Sequence, residues 1–184
     1  VGQRMAQHEI TRLVRQYRQL QKDLEELDQQ LEAQLASVPG AQDMMDVPGL
    51  GFCTVATLFS EIGDIRNYEH PRQIQKMAGL SLREHSSGKF KGQTKISKRG
   101  RRRLRKALYL AVRPMVVHNE AFRTLHHYYT TRSERPLCKQ ASLIALCCKL
   151  IRVLHAMAIK GKAFDAKKMM RDMPHICKQE VAAA

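Results

Sequence analysis

The sequence predicts an all-α fold: a helical domain with a helix-hairpin-helix-like motif and an exposed basic loop, preceded by an N-terminal coiled-coil arm. Three observations carry that prediction. Ile10, Leu13, Tyr17, Leu20, Leu24, Leu27 and Leu31 recur at spacings of three and four, the heptad seam of a helix that packs on another. A Pro-Gly-x-Gly turn at residues 48–51 stands between a short apolar segment and a longer one that runs to Ile62. Beyond it, apolar residues at helical spacing are bounded by Pro, Gly, Ser or Asn where helices begin and end.

The arm spans residues 1–40. No Gly or Pro interrupts Met5 to Val38, and Pro39-Gly40 closes the segment. Leu35 and Val38 fall one position out of register, a stutter that loosens a supercoil. A helix packed on its own domain is the alternative; the narrow seam and neutral polar flanks favour a coiled coil. Its partner is either a second subunit or an antiparallel helix of the same chain.

A basic helical domain follows over 41–175, with a frayed tail at 176–184. The stretch Met44 to Ala56 resembles a helix-hairpin-helix. Gly49 and Gly51 permit positive φ and close backbone approach, and the next helix offers free N–H groups to one phosphate. A plain turn between packed helices is the alternative. Gly63-Asp64 ends the second helix. A short helix covers Tyr68 to Leu80, with Pro71 near its start and Gly79 near its end. Residues 81–95 lack helical periodicity and read as an exposed loop with room for a short β-hairpin. Ser97 serves as N-cap of a helix from Lys98, with Leu104, Leu108 and Ala111 inward and Pro114 kinking or ending it. Asn119 caps a helix to about Thr131. Pro136 opens one that runs to Lys160 and stops at Gly161, and a last amphipathic turn covers Ala163 to Met173.

Charge narrows the function. The net charge is +15, yet residues 1–38 hold five basic and six acidic side chains, so the whole excess lies after Val38. From Lys89 to Lys106, ten of eighteen residues are Lys or Arg, and no Asp or Glu stands between Glu84 and Glu120. A solvated basic loop is the ordinary reading of such a run; its density without acidic partners favours contact with nucleic acid, bound with steep salt dependence. A basic amphipathic membrane segment needs a bulky apolar face, and there is no Trp. Lys149 and Arg152 are expected to cut the longest apolar segment short of membrane-spanning length. Five cysteines without CxxC spacing argue against zinc or a disulfide framework, and point to reduced, mostly buried thiols in a cytosolic protein. A start at Val1 suggests a piece of something longer.

Asp46, Glu61, Asp64, Glu69, Glu84 and Glu120 are too scattered for a two-metal carboxylate site, and His118, His126, His127 and His155 lack zinc spacing. A serine nucleophile is a different matter. Ser86-Ser87-Gly88 sits just ahead of Lys89, Lys91, Lys95, Lys98 and Arg99, cations that would stabilise charge developing on a phosphoryl group. On these residues alone an ordinary Ser-Ser-Gly turn remains the competing reading.

The order of Val47-Pro48-Gly49-Leu50-Gly51, Ala78-Gly79-Leu80, the stretch from His85 to Gly92 and that from Ile96 to Ala111 resembles the C-terminal half of DEDD-type insertion-sequence transposases. That family includes the Piv-type DNA invertases, and the resemblance covers nearly the whole chain. Ser-Gly followed by Ile-Ser-Lys-Arg-Gly-x-x-x-Leu-Arg is the specific part, matched at Lys98-Arg99-Gly100 and Leu104-Arg105. The resemblance implies a covalent nucleophile at Ser87, with Ser86 as the alternative, and DNA strand exchange through a serine phosphodiester. It also implies a structured guide RNA, and a Mg²⁺ site in a ribonuclease-H-like N-terminal domain that this sequence does not contain. No cofactor is expected within the chain itself. The expected setting is the bacterial or archaeal cytoplasm, at the nucleoid, with DNA as partner and a homo-oligomer formed through the N-terminal helix. Nucleic-acid contacts are expected from Gly49, Gly51, Lys89, Lys91, Lys95, Lys98, Arg99, Arg101, Arg102 and Arg105. The rival readings are a non-catalytic nucleic-acid-binding module and a structural oligomerisation module.

Overall fold

An uninterrupted run of Gln, Glu, Arg, Lys and Leu, all good helix formers, makes Gly2–Ala36 one helix, α1. The structure, a computed structural model, describes residues 2–83, 86, 87, 90, 91 and 94–171. Surface pairs one turn apart support α1: Arg12 donates to Glu9 at 2.6 Å and Gln19 to Asp23 at 2.7 Å. The heptad seam faces solvent, with Leu20 68% and Leu24 and Leu27 each 60% exposed. The chain divides into two compact units, Val1–Pro39 and Gly40–Ala184.

The second unit is helical, as expected, apart from short paired strands. Helices α2 (Ala41–Met45) and α3 (Phe52–Ile62) flank the Pro-Gly-Leu-Gly turn. A 3₁₀ turn at Ile65–Asn67 leads to α4 (Pro71–Met77), whose first turn is capped by His70: its Nδ1 accepts from the Arg72 N–H, and its own N–H donates to Gln73 Oε1. Then come β1 (Leu82–Arg83), β2 (Ser86–Ser87), β3 (Phe90–Lys91) and β4 (Lys95–Ile96). After them α5 (Arg102–His118), α6 (Glu120–Thr131), α7 (Lys139–Lys160) and α8 (Ala166–Arg171) complete the fold.

Helix α5 packs on α3, α6 and α7, and α7 also meets α2, α4 and the 3₁₀ turn. Leu104, Leu108, Val112 and Met115 of α5 and Leu146 and Leu150 of α7 are fully buried. Burying one such side chain contributes roughly 1.5–3 kcal/mol. Two buried polar links hold the packing: His126 Nδ1 lies 2.8 Å from Ser142 Oγ, and His155 Nε2 lies 2.7 Å from the Tyr68 carbonyl.

Several expectations need correction. The helix after the basic loop starts at Arg102 rather than Lys98, because Ser97, Lys98 and Arg101 donate their N–H groups to the Ser81, Gly79 and Met77 carbonyls instead of to a helical turn. Ser97 therefore caps nothing. Positive φ at Lys98 (54°) and Gly100 (145°) keeps this segment out of the helix. Of the two outcomes expected at Pro114, a kink or a stop, the stop is not seen. The proline lies on the exposed side, where solvent can reach the carbonyl its ring leaves unpaired, and the helix continues to His118. Helix α7 begins at Lys139, three residues beyond Pro136. Lys149 and Arg152 do not cut the apolar segment short: α7 is long and apolar enough to cross a membrane, and 50% of that stretch is buried inside this fold. Among the described cysteines Cys147 is buried, but Cys53 and Cys138 are exposed. The tail expected at 176–184 lies outside the described residues.

Candidate nucleic-acid interface

Ser86 and Ser87 occupy the inner arm of a hairpin. β2 pairs antiparallel with β3, Ser86 opposite Lys91 and Ser87 opposite Phe90, and β1 pairs antiparallel with β4, Leu82 opposite Ile96 and Arg83 opposite Lys95. The two pairings nest in sequence order, and after β4 the Ser97 and Lys98 N–H groups return to the Ser81 and Gly79 carbonyls after α4. Lys89 lies outside the described residues, and Lys91 is placed by its backbone in β3.

From Lys98 the chain is clamped against the loop after α4. Arg105 reaches back from α5 to donate to the Ala78 carbonyl at 2.9 Å and to the Lys98 carbonyl at 3.3 Å. Arg101 donates to the Glu61 carbonyl at the end of α3. Both guanidinium groups thus have backbone partners within the fold, with Arg101 exposed and Arg105 half-buried. Gly100 has room for no side chain: a Cβ there would overlap the Met77 carbonyl.

Lys95, Lys98, Arg99, Arg102, Arg103 and Lys106 are all solvent-accessible cations of this run. Among the described residues no carboxylate forms an ion pair with any of them. Positions 102, 106 and 113 fall on one stripe of α5 at 100° per residue, so Arg113, also exposed, extends the basic surface along the helix. Sequence reading includes Arg103 and Lys106 only within the basic run of residues 89–106 and does not reach Arg113. Helical spacing counted from Arg102 leads through Lys106 to Arg113.

The Pro-Gly-Leu-Gly turn has two distinct ends. Gly49 has φ +91°, and a Cβ there would come within 2.8 Å of the Met115 Cα, so its close backbone approach is to α5. Asn119 fixes the same corner, donating to the Pro48 carbonyl at 3.4 Å while its Oδ1 accepts from the Phe122 N–H and caps α6. Gly51 is the exposed N-cap of α3 and has open space where a Cβ would stand, which leaves that helix end accessible to an anion.

Residues 41–127 match the model of the Transposase IS116/IS110/IS902 family. The matched segment makes up a little under half of the chain. It runs from α2 into α6 and contains the glycine turn, the serine hairpin and the basic run. The chain is 35% identical over 104 residues to the transposase for insertion sequence element IS1328 of Yersinia enterocolitica, covering 56% of this chain and 31% of that protein. It is 32% identical over 91 residues to the transposase for insertion sequence element IS1111A of Coxiella burnetii, covering 50% and 25%. It is 25% identical over 122 residues to the pilin gene-inverting protein of Moraxella bovis, covering 66% and 37%. The chain therefore spans roughly a third of the length of the curated relatives it matches. Among the described residues no three His, Cys, Asp or Glu side chains come together as a metal site.

Proposed function

We propose that this chain is the DNA-binding and strand-exchange part of a transposase, with Ser87 as nucleophile and Ser86 as the alternative. The serine oxygen attacks a DNA phosphorus and forms a P–O bond to the protein. The bond to one sugar oxygen breaks, and that oxygen takes up a proton as the serine gives one up. A new strand end then reverses the link. The single observation that carries this reading is the arrangement of the family-matched segment: a strand pair bearing Ser86-Ser87 is followed by exposed cations that, among the described residues, form no ion pair with a carboxylate. Lys95, Lys98, Arg99 and Arg102 are the expected phosphate contacts, joined by Arg103, Lys106 and Arg113; such groups also stabilise charge developing on a phosphoryl oxygen.

The described residues do not fit a Mg²⁺ site, and no step here is routed through one. The proposal puts that ion in a separate N-terminal domain. A structured guide RNA is the second proposed partner of the basic surface, α1 the proposed contact between copies, and the nucleoid of the cytoplasm the proposed setting.

The test uses a protein of the relatives' full length carrying this chain. Ser87→Ala should abolish recombination and leave DNA binding nearly intact, because the hydroxyl acts in the transition state rather than in ground-state affinity. Ser86→Ala should be milder. A protein–DNA adduct trapped under denaturing conditions should map to the peptide containing Ser87. Full recombination by the double Ser86→Ala, Ser87→Ala variant would remove the serine mechanism and leave a non-catalytic nucleic-acid-binding module.

A further inference from the structure

Away from the hairpin, α7, α8 and the loop between them line an open pocket of about 300 Å³ that the strand-exchange reading does not use. Five cations line it: Lys149, Arg152, Lys160, Lys162 and Lys168. One carboxylate, Asp165, shares the lining, and its Oδ1 accepts from the Lys168 N–H at 3.0 Å at the start of α8. The formal balance of these side chains is therefore five positive against one negative. Arg152, Lys160, Lys162 and Lys168 are exposed, whereas Lys149 is 6% exposed and donates to the Met169 carbonyl at 3.1 Å. The pocket thus has a solvated cationic rim and one ammonium held at depth. Met157 and Phe164 add an apolar wall, with Phe164 half-buried.

That combination selects its ligand. An inorganic anion would use the rim and leave the apolar wall wet; an apolar molecule would leave the cations unsatisfied. A compact molecule with a phosphate at one end and a flat ring at the other satisfies both, since aromatic side chains stack on any base and cations take the phosphate. The volume lies at the small end of ligand pockets, suited to one such unit rather than to a duplex. We propose that the α7–α8 pocket binds a single nucleotide, phosphate on Arg152, Lys162 and Lys168 and base against Phe164. The nucleotide is either free or one unit of a single strand. Choosing a nucleotide over another phosphorylated ring rests on the transposase reading; the cationic and apolar lining does not.

The experiment is calorimetric titration of the 184-residue chain with adenosine monophosphate, inorganic phosphate and a short oligothymidylate in turn. Adenosine monophosphate should bind at least tenfold more tightly than phosphate. Lys162→Ala with Lys168→Ala, both exposed and without expected cost to folding, should weaken both ligands at least fivefold. Phe164→Ala should weaken the nucleotide and leave phosphate unchanged, which a merely unfolded variant would not do. Tighter binding of the oligonucleotide, abolished in the same variants, assigns the pocket to a strand; equal or weaker binding assigns it to a free nucleotide. Arg102→Ala with Arg103→Ala and Lys106→Ala should leave mononucleotide binding unchanged, which separates this site from the α5 surface. If that α5 variant binds DNA normally while pocket binding persists, the strand-exchange surface is wrong and the pocket stands. Equal affinity for nucleotide and phosphate, or nucleotide binding unaffected by the rim and Phe164 variants, would overturn the pocket.

Discussion

Gly49 shows how one residue of a suspected binding motif can be needed for packing. Its φ of +91° is costly for any residue with a Cβ, and that Cβ would meet the backbone of Met115 at 2.8 Å. A backbone atom cannot swing aside as a side-chain end can, so α5 itself would have to move. Gly49→Ala should therefore destabilise the second unit by about 2–4 kcal/mol, adding left-handed strain to overpacking. Urea unfolding measures this; a loss below about 0.5 kcal/mol would mean that α5 yields freely at Met115. Gly51→Ala should cost far less, because nothing stands within 4 Å of its Cβ position and its φ is −86°. The two glycines of the turn thus separate by experiment into one that holds the fold and one that leaves a helix end open.

At the scale of elements, α5 and α1 make opposite demands. On α5 the apolar face is satisfied within the chain and the basic face is left over. Neutralising Arg102, Arg103 and Lys106 should weaken DNA affinity and flatten the plot of log K against log salt by roughly 0.7–0.9 for each phosphate no longer neutralised. An unchanged slope would remove this face from the binding surface. Arg101→Ala and Arg105→Ala are poorer probes, since each also removes a bond to a backbone carbonyl of the fold. On α1 the apolar face is the one left over, and an isolated helix is marginal in water. Apart from Glu9, which pairs with Arg12, its cations Arg4, Arg12, Arg15, Arg18 and Lys22 precede its acids Asp23, Glu25, Glu26, Asp28 and Glu32. A second copy laid antiparallel sets these halves against each other; a parallel copy sets like against like. Spin labels at position 7 should then lie roughly 40 Å apart in the dimer, from the helical rise about a midpoint near Leu20. Leu24→Asp with Leu27→Asp should lower the association state without unfolding the second unit. A strictly monomeric parent chain in sedimentation would rule out self-pairing.

For the whole molecule, most of the helical order could be read from local signals. Asn119 and Gly161 stand at helix ends as their chemistry demands, Asn119 accepting from the Phe122 N–H and Gly161 taking a left-handed φ of 54°. Sequence reading failed where tertiary bonds outbid local ones. Ser97 is a good cap by composition, but it and its neighbours direct their N–H groups to the loop after α4, so α5 begins four residues late. The same limit applies to the candidate site. The density of the basic run was plain, whereas the partners of Arg101 and Arg105 on distant carbonyls depend on how α3, α4 and α5 meet.

Burial in that common core has a consequence for the response to alkali. Cys147 is enclosed on α7, and burial, followed by the neighbouring Cys148, pushes its thiol from an ordinary 9.0 up to about 12. Burial raises Cys148 and Tyr129 in the same direction. Below about pH 9 the thiol is neutral in both folded and unfolded chains, so the native state keeps its full advantage. Between about 9 and 12 the unfolded chain releases a proton that the folded chain retains. Stability must then fall as pH rises, by about 1.4 kcal/mol per pH unit for one such proton. Urea unfolding from about pH 8.5 to about pH 10.5 checks this in the parent chain and in Cys147→Ala. The variant starts less stable because it loses packed volume, so the slopes are compared rather than the absolute values. A shallower decline in Cys147→Ala is expected; coincident slopes would mean that this thiol ionises alike in both states and that the core around α7 admits water.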